Sequence, residues 1–126
     1  MPEIHVDTDC GNSPKREFIK AFNIAFAKQD FKFILDSITD DVIWDIIGDK
    51  KIEGNDAFRS ELELMQQQIS SLHLHQILSH GKEGSANGII KMENGKKYAF
   101  ADFYIFSSAK GAKIKALTSY IIEIAY

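Results

Sequence analysis

The chain has 126 residues, enough for one domain that buries roughly two-thirds of the surface its unfolded form exposes. Its 18 acidic against 15 basic residues give a formal charge of -3, which supplies no basic footprint for a phosphate backbone and argues against nucleic acid as a partner. A lone cysteine, Cys10, rules out an intrachain disulfide and a structural thiolate metal centre and fits a reducing cytoplasm. No apolar run approaches the ~20 residues that span a bilayer, and MPEIHVDTDCGN lacks the basic head and apolar core of a signal peptide, so a cytoplasmic protein with no membrane partner is expected.

Residues 1 to about 12 show no sustained periodicity and are expected to form a flexible N-terminal arm, leaving 13–126 as a single domain. Ser13-Pro14 signals a helix start, and Phe18, Ile19, Phe22, Ala25 and Phe26 recur at helical spacing to about Lys28. Asp30 suits the cap of a shorter helix carrying Phe31, Ile34, Leu35 and Ile38. Val42 to Ile47 is rich in strand formers and closes at Gly48, with a return through Lys51-Ile52 to Gly54. A third helix opens at Asn55 or Asp56, its stripe made by Phe58, Leu62, Met65, Ile69 and Leu72.

Beyond it the period becomes two. Leu72 to Ser79, Ala86 to Met92, Tyr98 to Phe106 and Lys113 to Ile124 suit strands, separated by turn signals at Gly81 to Gly84, Asn94-Gly95 and Ser107 to Gly111. Helices followed by a meander predict an α+β domain whose helices cover one face of an antiparallel sheet. The last strands are apolar on both faces, so a second copy is expected to cover the outer one as a homodimer.

Within this pattern a few residues invite a chemical role. Asp7-Thr8-Asp9-Cys10-Gly11 superficially resembles the calcium-binding motif of nucleoside hydrolases, but that family needs a far longer chain, and the match is set aside. His73 and His75 share a strand face, yet two ligands without a facing carboxylate do not make a metal site, and none is expected. Asp45 and Asp102 are sharper: each is an aspartate in an apolar strand segment, where burial raises carboxyl pKa values and acid/base pairs are assembled. Alternation sends Trp44 and Asp45 to opposite faces unless a bulge intervenes, and Asp102 is open to a structural reading as a carboxylate satisfied by a neighbour.

The order of elements, Asp41-Val42-Ile43-Trp44 through Gly48 to Gly54-Asn55-Asp56-Ala57-Phe58, and Asp102-Phe103-Tyr104-Ile105-Phe106 leading to Lys113-Ile114-Lys115 resemble a nuclear transport factor 2-like, SnoaL-like domain. The resemblance covers nearly the whole chain after the arm. It implies a curved antiparallel sheet wrapped against three helices, a cone-shaped α+β barrel with an apolar cavity, in a dimer. Within it, the steroid isomerase branch resembles the chain at Asp45, as proton-shuttling base, and at Asp102, as neutral donor to an oxyanion. That branch also donates from a tyrosine on its first helix, where this chain offers Phe22 and Asn23. The epoxide hydrolase branch requires an Asp-Arg-Asp set, and the only arginines here are Arg16 and Arg59, at helix starts. A SnoaL-type cyclase needs an acid/base aspartate with polar partners, which Asp102 with His75 or Tyr120 would satisfy.

Together these readings predict a domain that binds a small apolar molecule and transfers a proton with Asp102 and Asp45, without cofactor or metal. Phe22, Asn23, Phe26, Trp44, Met65, His75, Tyr104 and Tyr120 are its expected pocket. The alternative is a non-catalytic ligand-binding or dimeric protein-interaction module.

Overall fold

The computed structural model describes residues 2–11, 13–65, 68–109 and 113–125. Helix α1 (Pro14–Lys28) starts where the Ser13 hydroxyl accepts the Arg16 N–H at 3.2 Å, and stops where Gln29 turns left-handed at φ 60°. Its stripe buries Ile19, Phe22 and Ala25. Asp30 caps α2 (Phe31–Asp36) by accepting the Phe33 N–H. This helix is shorter than expected, because Ile38 already opens the strand that follows.

Strands β2 (Ile38–Ile46) and β3 (Lys50–Glu53) form a hairpin, and α3 (Asn55–Leu64) leads into the meander β4 (Ile69–His80), β5 (Glu83–Met92), β6 (Lys97–Phe106) and β7 (Ile114–Ile124). The Asn94-Gly95 turn joins β5 to β6, with Gly95 at φ 91°. Residues 110–112, at the end of the turn predicted before β7, lie outside the described residues.

The helical stripe predicted through Met65, Ile69 and Leu72 is corrected: α3 ends at Leu64, and Ile69 and Leu72 belong to β4. A register shift between Ile69 and Ser71 explains the false signal. An extra residue in a strand lets two side chains three apart share a face, which imitates a helical i, i+3 step. The same happens between Leu74 and Ile77, both fully buried, across a second shift at Leu74/Gln76. Gly88 faces that second shift, where a Cβ would stand 2.0 Å from the His73 carbonyl oxygen, so only glycine lets β4 bend this closely over β5.

The residues expected as a loosely held arm contain a strand, β1 (Glu3–Val6), parallel to β4 with Ile4 opposite Leu72 and Val6 opposite Leu74. Ile4 and Val6 pack against the core, and this apolar alternation in EIHV is what ties the segment down. Among the described residues the sheet is therefore seven-stranded, in the order β1-β4-β5-β6-β7-β2-β3, and open. It is mixed rather than antiparallel throughout, because β2 also runs parallel to β7. Both parallel pairs join an early strand to the late meander, a connection made through helices and not by a hairpin. Helix α1 packs across β4 and β5 and α3 across β2 and β3, so all the helices sit on one face of a curved α+β sheet.

Candidate functional site

Between the helices and the inner sheet face lies a pocket of about 390 Å³, within the size range of small-molecule sites. Most of its wall is apolar: Phe26 and Ala27 from α1, Leu62 from α3 and Met65 just beyond its end, and Leu72, Ile90, Met92, Phe100 and Leu117 from the sheet. Alternation along β6 turns Tyr98, Phe100 and Asp102 into this pocket, while Phe103 and Ile105 face outward and are exposed. Asp102 is thus on the inner face by the same parity that places Phe100 there.

Two polar side chains meet its carboxyl, and each is held by a further one. Ser119 stands opposite it on β7 and hydrogen-bonds to it. The Ser119 hydroxyl also accepts the Trp44 indole N–H at 2.9 Å. Two residues along β6, the Tyr104 hydroxyl points at Asp102 Oδ2 over a long 3.5 Å, and the same hydroxyl accepts from the Asn23 amide at 2.9 Å. Asn23 also donates to the Ile19 carbonyl one helical turn back, which fixes its amide. A chain of bonds thus links α1 to β6, β7 and β2 around one carboxyl group.

The surrounding rings hold these partners in place. Trp44 stacks on Phe58 at 4.7 Å and meets Phe26 edge-on, while Phe22 meets Tyr104 edge-on at 6.0 Å. Asp102 retains partial exposure, which opens into the pocket. Protein atoms replace most of its hydration, and this desolvation raises its pKa to about 6 against the opposing pull of Ser119 and Tyr104. Burial, reinforced by the Asp102 charge, also raises the Tyr104 phenol well above its ordinary value, so it stays a neutral hydroxyl.

The expected pocket residues divide between the two faces of the sheet. Phe22, Asn23, Phe26, Trp44 and Met65 line the pocket with Asp102. Tyr104 lies behind the lining, fully buried, and acts on Asp102 through its hydroxyl. Asp45 is not brought to the pocket: Trp44 occupies the inner face, and Asp45 points the other way, opposite Lys51 and Thr118. His75 and Tyr120 are likewise on the outer face, His75 bonded to Asp7 at 3.0 Å and Tyr120 against Phe103, so neither partners Asp102. Ser119 escaped the sequence reading, although it shares its parity with Leu117 and Ile121, both of which line the pocket. Its signal was a hydroxyl in an apolar row, legible only once β7 was registered against β6. The pocket's remaining carboxylates are Asp49, which is exposed, and Glu61, paired with Lys50 at 3.2 Å.

No family model and no curated protein matches the sequence. Solved structures do. A nuclear transport factor 2-like protein of unknown function from Burkholderia xenovorans superposes with a TM-score of 0.78 at 19% identity, over 94% of this chain and 90% of the other. A candidate ketosteroid isomerase from Kribbella flavida gives a TM-score of 0.76 at 10% identity, over 89% and 80%. A candidate SnoaL-like polyketide cyclase from Shewanella denitrificans gives 0.73 at 8% identity, over 88% and 92%. With three helices on one face of an open, curved mixed sheet, the chain has the nuclear transport factor 2-like fold.

Proposed function

We propose that the pocket binds a small, largely apolar molecule bearing a carbonyl group and that Asp102 transfers a proton on it. The observation that carries this reading is one desolvated carboxyl, with a pKa of about 6, facing an apolar pocket and held by Ser119 and Tyr104. A group titrating this close to neutrality has both its forms accessible, which is the condition for taking a proton in one step and returning it in the next. With Asp45 on the other face, the two-aspartate scheme does not fit the pocket, and Asp102 serves in both directions. As a carboxylate it takes a proton from the carbon beside the carbonyl, leaving an enolate. As the acid it then returns that proton to a carbon of the same conjugated system, so the net reaction is an isomerisation or exchange with no co-reactant. The isomerase and cyclase neighbours support this class of chemistry through fold alone.

Incubation in D2O with apolar cyclic ketones, followed by proton NMR, tests the proposal. Exchange next to the carbonyl is expected, rising with pH through about 6 and falling about 10²-fold or more in Asp102→Asn with ketone affinity within about threefold. Binding without exchange above the buffer rate, or full exchange by the variant, contradicts it, and the first result favours a plain binding module.

The same carboxyl links pH to stability. Unfolding returns Asp102 to water and to its ordinary pKa of 3.8, so between about pH 4 and pH 6 the native state holds a proton that the unfolded chain has released. The stability contribution is complete below that window, is lost as pH rises through it, and is level above. The difference corresponds to about 3 kcal/mol. Urea titrations are expected to show Asp102→Asn gaining on the parent protein across this window, by up to about that amount at pH 7. Parallel stability curves for the two proteins would contradict a raised pKa.

We further infer that two copies pair through the outer sheet face. Phe103, Ile105, Tyr120 and Ile122 are all substantially exposed on β6 and β7, with Ile43 and Ile47 beside them, an apolar patch of the kind that marks an interface. Sedimentation at micromolar concentration is expected to give a dimer, and Phe103→Lys with Ile122→Lys a folded monomer. A monomeric parent protein contradicts this.

A further inference from the structure

The N-terminal strand brings a carboxylate to the two histidines that sequence spacing left without a third ligand. Parallel pairing of β1 with β4 sets Val6 opposite Leu74, and the Asp7 N–H continues the ladder by donating to the Leu74 carbonyl at 2.9 Å. This delivers the Asp7 side chain to the outer face between His73 and His75, which flank Leu74 and point outward together because their neighbour points in. Asp7 Oδ1 is 2.8 Å from His73 Nε2 and Asp7 Oδ2 is 3.0 Å from His75 Nδ1. The two imidazole rings lie 4.5 Å apart at only 34°, and one ligating atom from each of the three residues falls within 4.8 Å of the others.

We propose that Asp7, His73 and His75 form a binding site for a first-row divalent transition cation, with Zn²⁺ the best match. Metal–nitrogen bonds of ~2.0–2.1 Å at tetrahedral angles separate neighbouring ligand atoms by roughly 3.3 Å. The distances on this face bracket that value, and opening the His75–Asp7 hydrogen bond and the close His73–Asp7 contact by a few tenths of an ångström admits the ion. Two imidazoles and one carboxylate favour this class of ion over calcium or magnesium, which take oxygen-rich shells. The three side chains are 39% to 53% exposed with His73 Nε2 itself covered, so the ion reaches the site from the outer face by a shift of these side chains and not through the core. The next imidazole, His5, lies 5.7 Å from His73 ring to ring and is turned towards Glu3. Bound there, the cation fastens edge strand β1 to β4, on the opposite face of the sheet from the Asp102 pocket.

The test is calorimetric titration of chelator-treated full-length protein with Zn²⁺, paired with the visible absorption of its Co²⁺ complex. One ion per chain is expected, with a dissociation constant of about 10 µM or tighter. Asp7→Asn, His73→Gln and His75→Gln should each weaken binding about tenfold or more while circular dichroism stays unchanged, and His80→Gln should bind within about threefold of the parent. If a variant fails to fold, Zn²⁺-induced NMR shifts of the His73 and His75 ring protons in the parent protein, with those of His80 unmoved, decide the matter. No binding up to millimolar Zn²⁺, binding that survives all three substitutions, or shifts centred on His80 would overturn the proposal.

Discussion

A carboxyl group facing an apolar pocket is costly unless its charge is suppressed or shared, and the arrangement around Asp102 does both. Desolvation brings its pKa to about 6, while Ser119 and Tyr104 keep its oxygens from being orphaned. Each of those partners is itself constrained: Ser119 by the Trp44 indole, and Tyr104 by Asn23 and the edge of Phe22. A strand residue that propensity disfavours is therefore the point on which α1, β2, β6 and β7 converge. The aromatic packing among Phe22, Phe26, Trp44 and Phe58 fixes the angle of each donor, which is how a core of ordinary hydrophobic residues orients a polar network.

The two faces of the sheet carry different chemistry, and the separation follows from the side-chain period of two. Inward positions of β6 and β7 build the pocket, and outward positions of the same strands present Phe103, Tyr120 and Ile122. On β4 the inward Leu72 and Leu74 belong to the core while the intervening His73 and the adjacent His75 meet Asp7 on the other side. A one-residue slip of β4 would exchange these sets, placing imidazoles in the core and leucines outside. The bulges at Ile69/Ser71 and Leu74/Gln76 are where that register is adjusted, and Gly88 provides the room for the second.

Much of this was legible in the sequence, and the failures have identifiable causes. The three helices, the meander and the anomaly of Asp102 in KYAFADFYIF all rest on local patterns of composition and spacing. Residue type and the family resemblance group Asp45, His75 and Tyr120 with Asp102, and parity separates them, because neither says which face a strand of this chain turns inward. Ser119 needed the cross-strand register of β6 with β7. The N-terminal strand was invisible for a related reason: four residues of EIHV are too short for a periodic signal, and their strand character comes from a parallel partner almost seventy residues away. The carboxylate facing His73 and His75 was hidden behind the same long-range pairing.

Carboxyl carbon NMR of Asp102, titrated from acid to mildly alkaline pH and assigned with Asp102→Asn, reads the protonation of this group without intermediary. A midpoint near 6 is the predicted result, and it would establish a desolvated group able to exchange protons with a bound molecule at neutral pH. A midpoint at or below 3.8 would show a well-solvated or charge-stabilised carboxylate and contradict the account of the pocket.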